Sequence, residues 1–171
     1  MAFIYVGRLD ELKGIKVLFE AWKLMGEGAP ELIVCGTGPL EGWCKEYIQE
    51  NRLTGIKMFG KVDNARTKRL IAESDALILP SLWYEGFPMV IAEAYSVGTP
   101  VIGSDIGNVG CLVRYNSDGQ IFKAGDPAEL KEIISSFKIR HTPNVSYRCF
   151  MDSLSAETNY SLLMSIYGKV K

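Results

Sequence analysis

The sequence predicts an α/β fold, in which a doubly wound, parallel, six-stranded sheet carries helices on both faces. Short runs of consecutive apolar residues alternate with longer segments whose apolar residues recur at helical spacing. An uninterrupted apolar run is typical of a strand buried on both faces. Glycine or proline follows most of these runs, where a strand gives way to a turn. Strands that alternate with helices in this way indicate a parallel sheet.

The individual elements follow from these patterns. Strands are predicted at 3–6, 32–35, 56–59, 76–79, 101–102 and 120–122. Helices are predicted at 13–25, 39–50, 64–73, 88–97, 126–137 and 156–168. Pro39 and Pro88 suit a first helical turn, and Asp126 is the expected N-cap of its helix. The polar segment 140–144 reads as a hinge or loop. The apolar stripe of the last helix must pack against this domain's own sheet or against a missing partner domain.

Composition limits the class of protein. The 171 residues suit a single domain, 1–171, with a linker and helices from about residue 140. Hydrophobic residues make up 47% of the chain and the formal net charge is −1, which gives no support for nucleic acid as a partner. Four cysteines form no C-x-x-C pair and there is one histidine, so we expect reduced thiols and no zinc site. Without a signal peptide or a long apolar span, we expect a cytoplasmic protein.

The turns after the first two predicted strands are suited to an anion. Gly7 and Arg8 follow the first strand, and Lys13 stands at the start of the next helix. Ligands of open α/β sheets bind at the carboxyl ends of the strands, and a helix N-terminus with two cations suits a diphosphate. After the second strand, Gly38 and Pro39 belong to a glycine-rich turn that we interpret as a wall of a nucleotide pocket. Solvated surface cations and an ordinary turn remain the alternatives.

Two carboxylates follow the fourth predicted strand. Glu85 lies in the loop, and Glu93 lies within the apolar helix 88–97. A carboxylate in apolar surroundings is costly unless it meets hydrogen-bond donors, and the hydroxyls of a ribose are such donors. A structural ion pair would serve Glu93 equally well, and Glu85 could be an ordinary loop residue. Two carboxylates also occur in glycoside hydrolases, although the basic, glycine-rich surroundings disfavour that function.

Five short motifs follow one another along the chain: Gly7-Arg8-Leu9 with Lys13-Gly14, Gly36-Thr37-Gly38-Pro39, Phe59-Gly60-Lys61-Val62, Glu85-Gly86-Phe87-Pro88 through Glu93, and Gly98-Thr99-Pro100-Val101-Ile102. In order and spacing they resemble the C-terminal domain of family-four glycosyltransferases of the GT-B fold. The separation of Glu85 from Glu93 matches the E-x(7)-E motif of that family. The resemblance covers nearly the whole chain and implies the Rossmann-like, donor-binding half of such an enzyme.

The resemblance also implies an activity. Members of the family typically retain the donor's anomeric configuration while moving a sugar, here expected to be a hexose, from a nucleoside-diphosphate sugar to an acceptor such as a growing glycan. They typically need no metal, so no cofactor is expected. The resemblance implies three catalytic residues: Arg8 and Lys13 would hold the diphosphate, and Glu85 would contact the transferred sugar. The nucleotide sugar would further contact Gly7, Gly38, Pro39, Val62, Gly86, Phe87, Pro88, Met89, Val90 and Glu93.

Two features qualify this resemblance. The family's N-terminal acceptor domain is expected to be absent here, so the chain alone is expected to be inactive, and any peripheral membrane association would come only through that other half. In addition, Asn108 and Cys111 stand where the family usually has glycine and glutamate. A non-catalytic nucleotide-binding or interaction module therefore remains the alternative. A dinucleotide oxidoreductase is disfavoured, because no G-x-G-x-x-G follows the first strand.

Overall fold

The computed structural model describes residues 1–116, 118–138 and 144–168. Six strands form one sheet with the order β3-β2-β1-β4-β5-β6, and every neighbouring pair is parallel. This topology confirms the predicted doubly wound fold. The strands are β1 (Ala2–Val6), β2 (Glu31–Cys35), β3 (Ile56–Gly60), β4 (Ala76–Leu79), β5 (Val101–Ser104) and β6 (Gln120–Phe122).

Helices cover both faces of this sheet. The first strand shows the division, because Phe3 and Tyr5 face one core and Ile4 faces the other. The helices are α1 (Ile15–Met25), α2 (Glu41–Glu50), α3 (Asn64–Ala72), α4 (Met89–Ser96), α5 (Gly107–Tyr115), α6 (Pro127–Ser136), α7 (Asn144–Cys149) and α8 (Ala156–Tyr167). Helices α1, α2 and α6 pack on the Tyr5 face, whereas α3, α4 and α5 pack on the Ile4 face. A 3-10 turn (Gly26–Gly28) follows α1, and a π-helical turn (Phe150–Leu154) follows α7.

The sequence does not predict α5, because its first turn contains two glycines and an asparagine, which are poor helix formers. Tertiary packing overrides this local preference. Val109 and Val113 are fully buried beneath β5. A Cβ added to Gly103 would lie 2.9 Å from side-chain atoms of both valines, so the helix packs directly on the strand backbone.

The start of α1 differs from the prediction at Lys13, because Gly14 precedes the helix in the left-handed region with a φ of 71°. A Cβ at Gly14 would lie 1.8 Å from the carbonyl oxygen of Pro80. The turn after β1 therefore packs closely against the end of β4, and glycine is required at this contact. Pro39 likewise lies just before α2 rather than within its first turn, whereas Asp126 caps α6 as predicted.

The C-terminal part differs most from expectation. Residue 144, predicted to end a loop, begins α7, and the rest of that segment, with His141, lies outside the described residues. The π-helical turn packs Phe150 and Leu154 against the core on the Ile4 face. The alternative in which the last helix packs its apolar stripe against the chain's own sheet is wrong. The large apolar side chains of α8 are 45–67% exposed: Tyr160, Leu162, Leu163, Met164, Ile166 and Tyr167. Among the described helices, none is both long and apolar enough to cross a membrane.

Candidate functional site

The site lies where the strand order reverses, between β1 and β4. At such a switch point the loops after the two strands leave in opposite directions and open a crevice. Here the loops meet across it, because the backbone N–H of Leu82 donates to the carbonyl of Leu12 over 2.8 Å. The side chains that the sequence placed after β1 and β4 are thereby brought together.

Lys13 and Glu85 form an ion pair across this crevice. The distance from Lys13 Nζ to Glu85 Oε2 is 2.7 Å, and the two side chains are 26% and 10% exposed. The hydroxyl of Ser81 donates to the other carboxylate oxygen, Oε1. Ser81 is fully buried, and its own carbonyl accepts from Ser104 Oγ at 2.7 Å. The Glu85 carboxylate is therefore fixed at both oxygens, which an ordinary acidic loop residue is not.

Arg8 is held both at its backbone carbonyl, by Tyr5, and at its side-chain Nε, by Asp10. The Tyr5 hydroxyl donates to the Arg8 carbonyl over 2.7 Å, and burial, chiefly, raises the pKa of Tyr5, which keeps that hydroxyl protonated. Asp10 links Arg8 to Lys13: one carboxylate oxygen lies 3.3 Å from Arg8 Nε, and the other accepts the Lys13 backbone N–H at 2.9 Å. The Arg8 side chain remains 66% exposed at the mouth of the crevice.

A cleft of about 610 Å³ opens beside this ion-pair network, and five predicted residues line it: Gly7, Arg8, Gly38, Pro39 and Val62. Thr37, which belongs to the glycine-rich turn predicted as a wall, also lines the cleft. Sequence reasoning assigned no role to Lys61 and missed Thr67, which line it too, although Lys61 follows the end of β3 as Arg8 follows β1. At Gly38, an added Cβ would lie 2.4 Å from the carbonyl oxygen of Leu9. The turns after β1 and β2 thus approach each other too closely for any side chain at position 38.

The remaining predicted residues lie elsewhere around α4. Phe87, Met89 and Glu93 line a second cavity of about 570 Å³, together with Lys68 from α3 and Phe150 from the π-helical turn. Glu93 forms no ion pair with any described residue. Of the predicted residues, five therefore line the first cleft and three line this second cavity.

Three predicted residues complete the connection from β4 to α4. Gly86 follows Glu85 in the loop, Pro88 immediately precedes α4, and Val90 packs against the core on the Ile4 face. Within the described part of the chain, no three His, Cys, Asp or Glu side chains cluster so as to hold a metal ion. The four cysteines are free thiols.

A doubly wound sheet with a basic crevice at its switch point and a glycine-rich cleft beside it is an architecture shared by many nucleotide-binding domains. The comparison with protein families gives a more specific result. Residues 2–141 match the family described as glycosyl transferases group 1. The chain belongs to this family, and its resemblance to glycosyltransferases of the GT-B fold is confirmed.

The relatives share most of this chain but are much longer. The amylovoran biosynthesis glycosyltransferase AmsK of Erwinia amylovora is 32% identical over 142 residues, which cover 78% of this chain and 35% of that protein. The glycogen synthase of Mycobacterium tuberculosis is 31% identical over 136 residues, which cover 78% of this chain and 33% of that protein. The crystal structure of HepE from Anabaena in complex with UDP has a similar fold, with a TM-score of 0.82, 21% identity and coverage of 98% of this chain and 48% of that one. The chain thus spans about a third of these relatives and half of that structure.

Proposed function

We propose that this chain is the donor-binding half of a retaining glycosyltransferase, which moves a hexose from a nucleoside-diphosphate sugar to an acceptor such as a growing glycan. The observation that carries the proposal is the Lys13–Glu85 ion pair, which lies at the switch point beside a glycine-rich cleft. The pair brings a cation within one hydrogen-bond length of a carboxylate, and we propose that the cation holds the diphosphate and the carboxylate contacts the sugar hydroxyls.

The charges of the crevice are compatible with this role. An ammonium group has three N–H donors, and Glu85 occupies one of those of Lys13. Lys13 can therefore hold Glu85 and still donate to a phosphate oxygen. Arg8 uses Nε toward Asp10, which leaves its four terminal N–H donors for the same ligand. Two cations placed in advance would stabilise the negative charge that grows on the leaving diphosphate, and we propose that this step needs no metal.

The predicted contacts are assigned to three parts of the donor. The cleft lined by Gly7, Gly38, Pro39 and Val62 would take the base and the adjoining ribose. The loop from Gly86 to Val90, with Phe87, Pro88 and Met89, would lie along the phosphates and the sugar. Glu93, which has no ionic partner among the described residues, would accept from the ribose hydroxyls.

The partner that we propose is an acceptor-binding domain. The curated relatives are about three times as long as the aligned part of this chain, which motivates a second half. The exposed apolar side chains of α8 would pack against that half, because a surface helix normally buries its apolar face. Alone, the chain would bind the donor without transferring its sugar.

Isothermal titration calorimetry with UDP, GDP and ADP tests donor binding. We expect at least one of these nucleotides to bind with a millimolar or lower Kd. Arg8→Ala should weaken the binding of that nucleotide. Lys45→Ala is the matched control, because Lys45 also pairs with a carboxylate, Glu41 at 2.7 Å, but lies on the exposed face of α2. Failure of all three nucleotides to bind at millimolar concentration would contradict the proposal.

The second candidate is a nucleotide-binding module without transferase activity, and the replacement of the family's usual glutamate by Cys111 motivates it. The two are separated by mixing the chain with an acceptor domain of a close relative and following the release of UDP from UDP-sugars. Release that depends on both components supports the transferase. Binding without release supports the module.

A further inference from the structure

The loop that carries Glu85 is held from one side by the start of α5. Asn108, in the first turn of that helix, donates through Nδ2 to the Glu85 carbonyl oxygen at 3.2 Å and to the Gly86 carbonyl oxygen. Both facing atoms are acceptors, so the Asn108 amide must present its NH₂ group to them. The ring of Tyr84 lies against Gly107 beside this contact. One side chain therefore orients two consecutive peptide groups.

This contact determines where the neighbouring N–H groups point. In a planar trans peptide, the carbonyl and the N–H of the next residue point in opposite directions. Since the carbonyls of Glu85 and Gly86 face Asn108, the N–H groups of Gly86 and Phe87 face away from α5. Neither N–H has a hydrogen-bond partner among the described residues. Two consecutive free donors therefore follow Glu85, whose carboxylate is paired with Lys13, in the same loop.

Resting on the proposed function, we infer that Asn108 is a positioning residue for the donor: it holds the N–H groups of Gly86 and Phe87 toward the diphosphate. The residue is one at which this sequence departs from its family, and its side chain makes a contact that glycine cannot make. Without its two hydrogen bonds, either peptide group could rotate and present a carbonyl oxygen, which would repel a phosphate. Asn108 would thus act through the backbone, without touching the ligand.

The test compares Asn108→Ala and Asn108→Asp with Cys111→Ala in calorimetric titrations of UDP and inorganic pyrophosphate. Cys111 is the matched control, because it is exposed on the same helix one turn later. We expect about tenfold weaker binding of both ligands by Asn108→Ala, the loss typical of a displaced hydrogen bond to a charged group. Asn108→Asp should lose at least as much affinity for both ligands, because a carboxylate of the same size would repel the two carbonyl oxygens. Cys111→Ala should match the unsubstituted chain.

A second readout separates positioning from a general structural role. In ¹⁵N-labelled chain, pyrophosphate should shift the amide resonances of Gly86 and Phe87 strongly, and Asn108→Ala should abolish those two shifts while Tm stays within about 2 °C, since Asn108 is exposed. Equal affinities and equal shifts in Asn108→Ala and Cys111→Ala would overturn the inference alone. Absence of binding by the unsubstituted chain would overturn the proposed function and this inference with it.

Discussion

Replacing Lys13 by methionine tests whether its ammonium serves the ligand, the fold or both. Methionine keeps most of the apolar stem of the side chain and removes the ammonium group, with its charge and its N–H donors. In the free protein, the substitution leaves the Glu85 carboxylate, 10% exposed, with the Ser81 hydroxyl as its remaining side-chain partner. In the complex, it also removes one donor to the diphosphate. The first effect predicts a loss of folding stability, and the second predicts a loss of ligand affinity.

The magnitudes follow from the burial of the pair. Leaving a mostly buried carboxylate without its cation should lower the free energy of unfolding by about 1–3 kcal/mol, less than for a fully buried pair because Lys13 is 26% exposed. For a domain of this size that is a Tm lower by about 2–4 °C per kcal/mol. Loss of a charge-assisted hydrogen bond to the ligand should cost about 1.5–3 kcal/mol, or about 10- to 150-fold in Kd.

The assay is a double-mutant cycle measured twice, by urea unfolding and by calorimetry with the nucleotide that binds most tightly. Adding Glu85→Gln to Lys13→Met removes the unpaired charge, so stability should recover, whereas affinity should not. Lys45→Met, at an exposed pair on α2, should change either quantity by less than about 0.5 kcal/mol. If the double variant regains affinity along with stability, Lys13 acts only through the fold and the reasoning is refuted.

Three further predictions address the framework of the site. Gly38→Ala should destabilise the chain and abolish nucleotide binding, because its Cβ would lie 2.4 Å from a backbone oxygen. Gly42→Ala, in α2 with open space around it, should instead stabilise the chain by about 0.5–1 kcal/mol. Thermal unfolding compares the stabilities of the two variants, and calorimetry compares their nucleotide affinities. Iodoacetamide at pH 8 should label exposed Cys111 first and Cys44 only on unfolding, since burial raises the pKa of the Cys44 thiol to about 11; equal rates would contradict this. Burial also raises the pKa of the Tyr5 hydroxyl, so the unfolded chain loses this proton at a lower pH than the folded chain does. The free energy of unfolding should therefore fall above about pH 10, by up to about 1.4 kcal/mol per pH unit, and it should fall less steeply in Tyr5→Phe. Urea unfolding at a series of pH values measures both slopes.

The sequence locates the candidate residues along the chain better than it locates them in space. Arg8, Lys13 and Glu85 are predictable because each follows an apolar run, and the carboxyl ends of parallel strands lie at one edge of a sheet. Their convergence depends on β1 and β4 being neighbours, and strand order is not encoded in apolar periodicity. For this reason the Lys13–Glu85 pair emerges only in the structure.

The elements that the sequence does not predict share a physical cause. Helix α5 begins with glycine and asparagine, and it forms because Val109 and Val113 are buried against the sheet. Helix α7 and the π-helical turn after it likewise carry weak local signals, whereas α8 is predicted nearly to its ends. Asn116 Nδ2 donates to the hydroxyl of Ser146 over 3.0 Å in a buried contact that links α7 to the end of α5. In both places tertiary contacts decide the structure, and single-sequence patterns do not report them.

The ionic network of the crevice also bears on the division between binding and transfer. Each of its two cations is already held by a carboxylate, Lys13 by Glu85 and Arg8 by Asp10. Under the proposed function, the diphosphate would meet a site that is already assembled, because spare donors remain on both cations. Electrostatic stabilisation of a leaving group requires in addition that water be excluded, since charges interact weakly in a high dielectric. With the Arg8 side chain 66% exposed, water reaches this crevice in the described chain, and under the proposed function a second domain closing over the crevice would exclude that water.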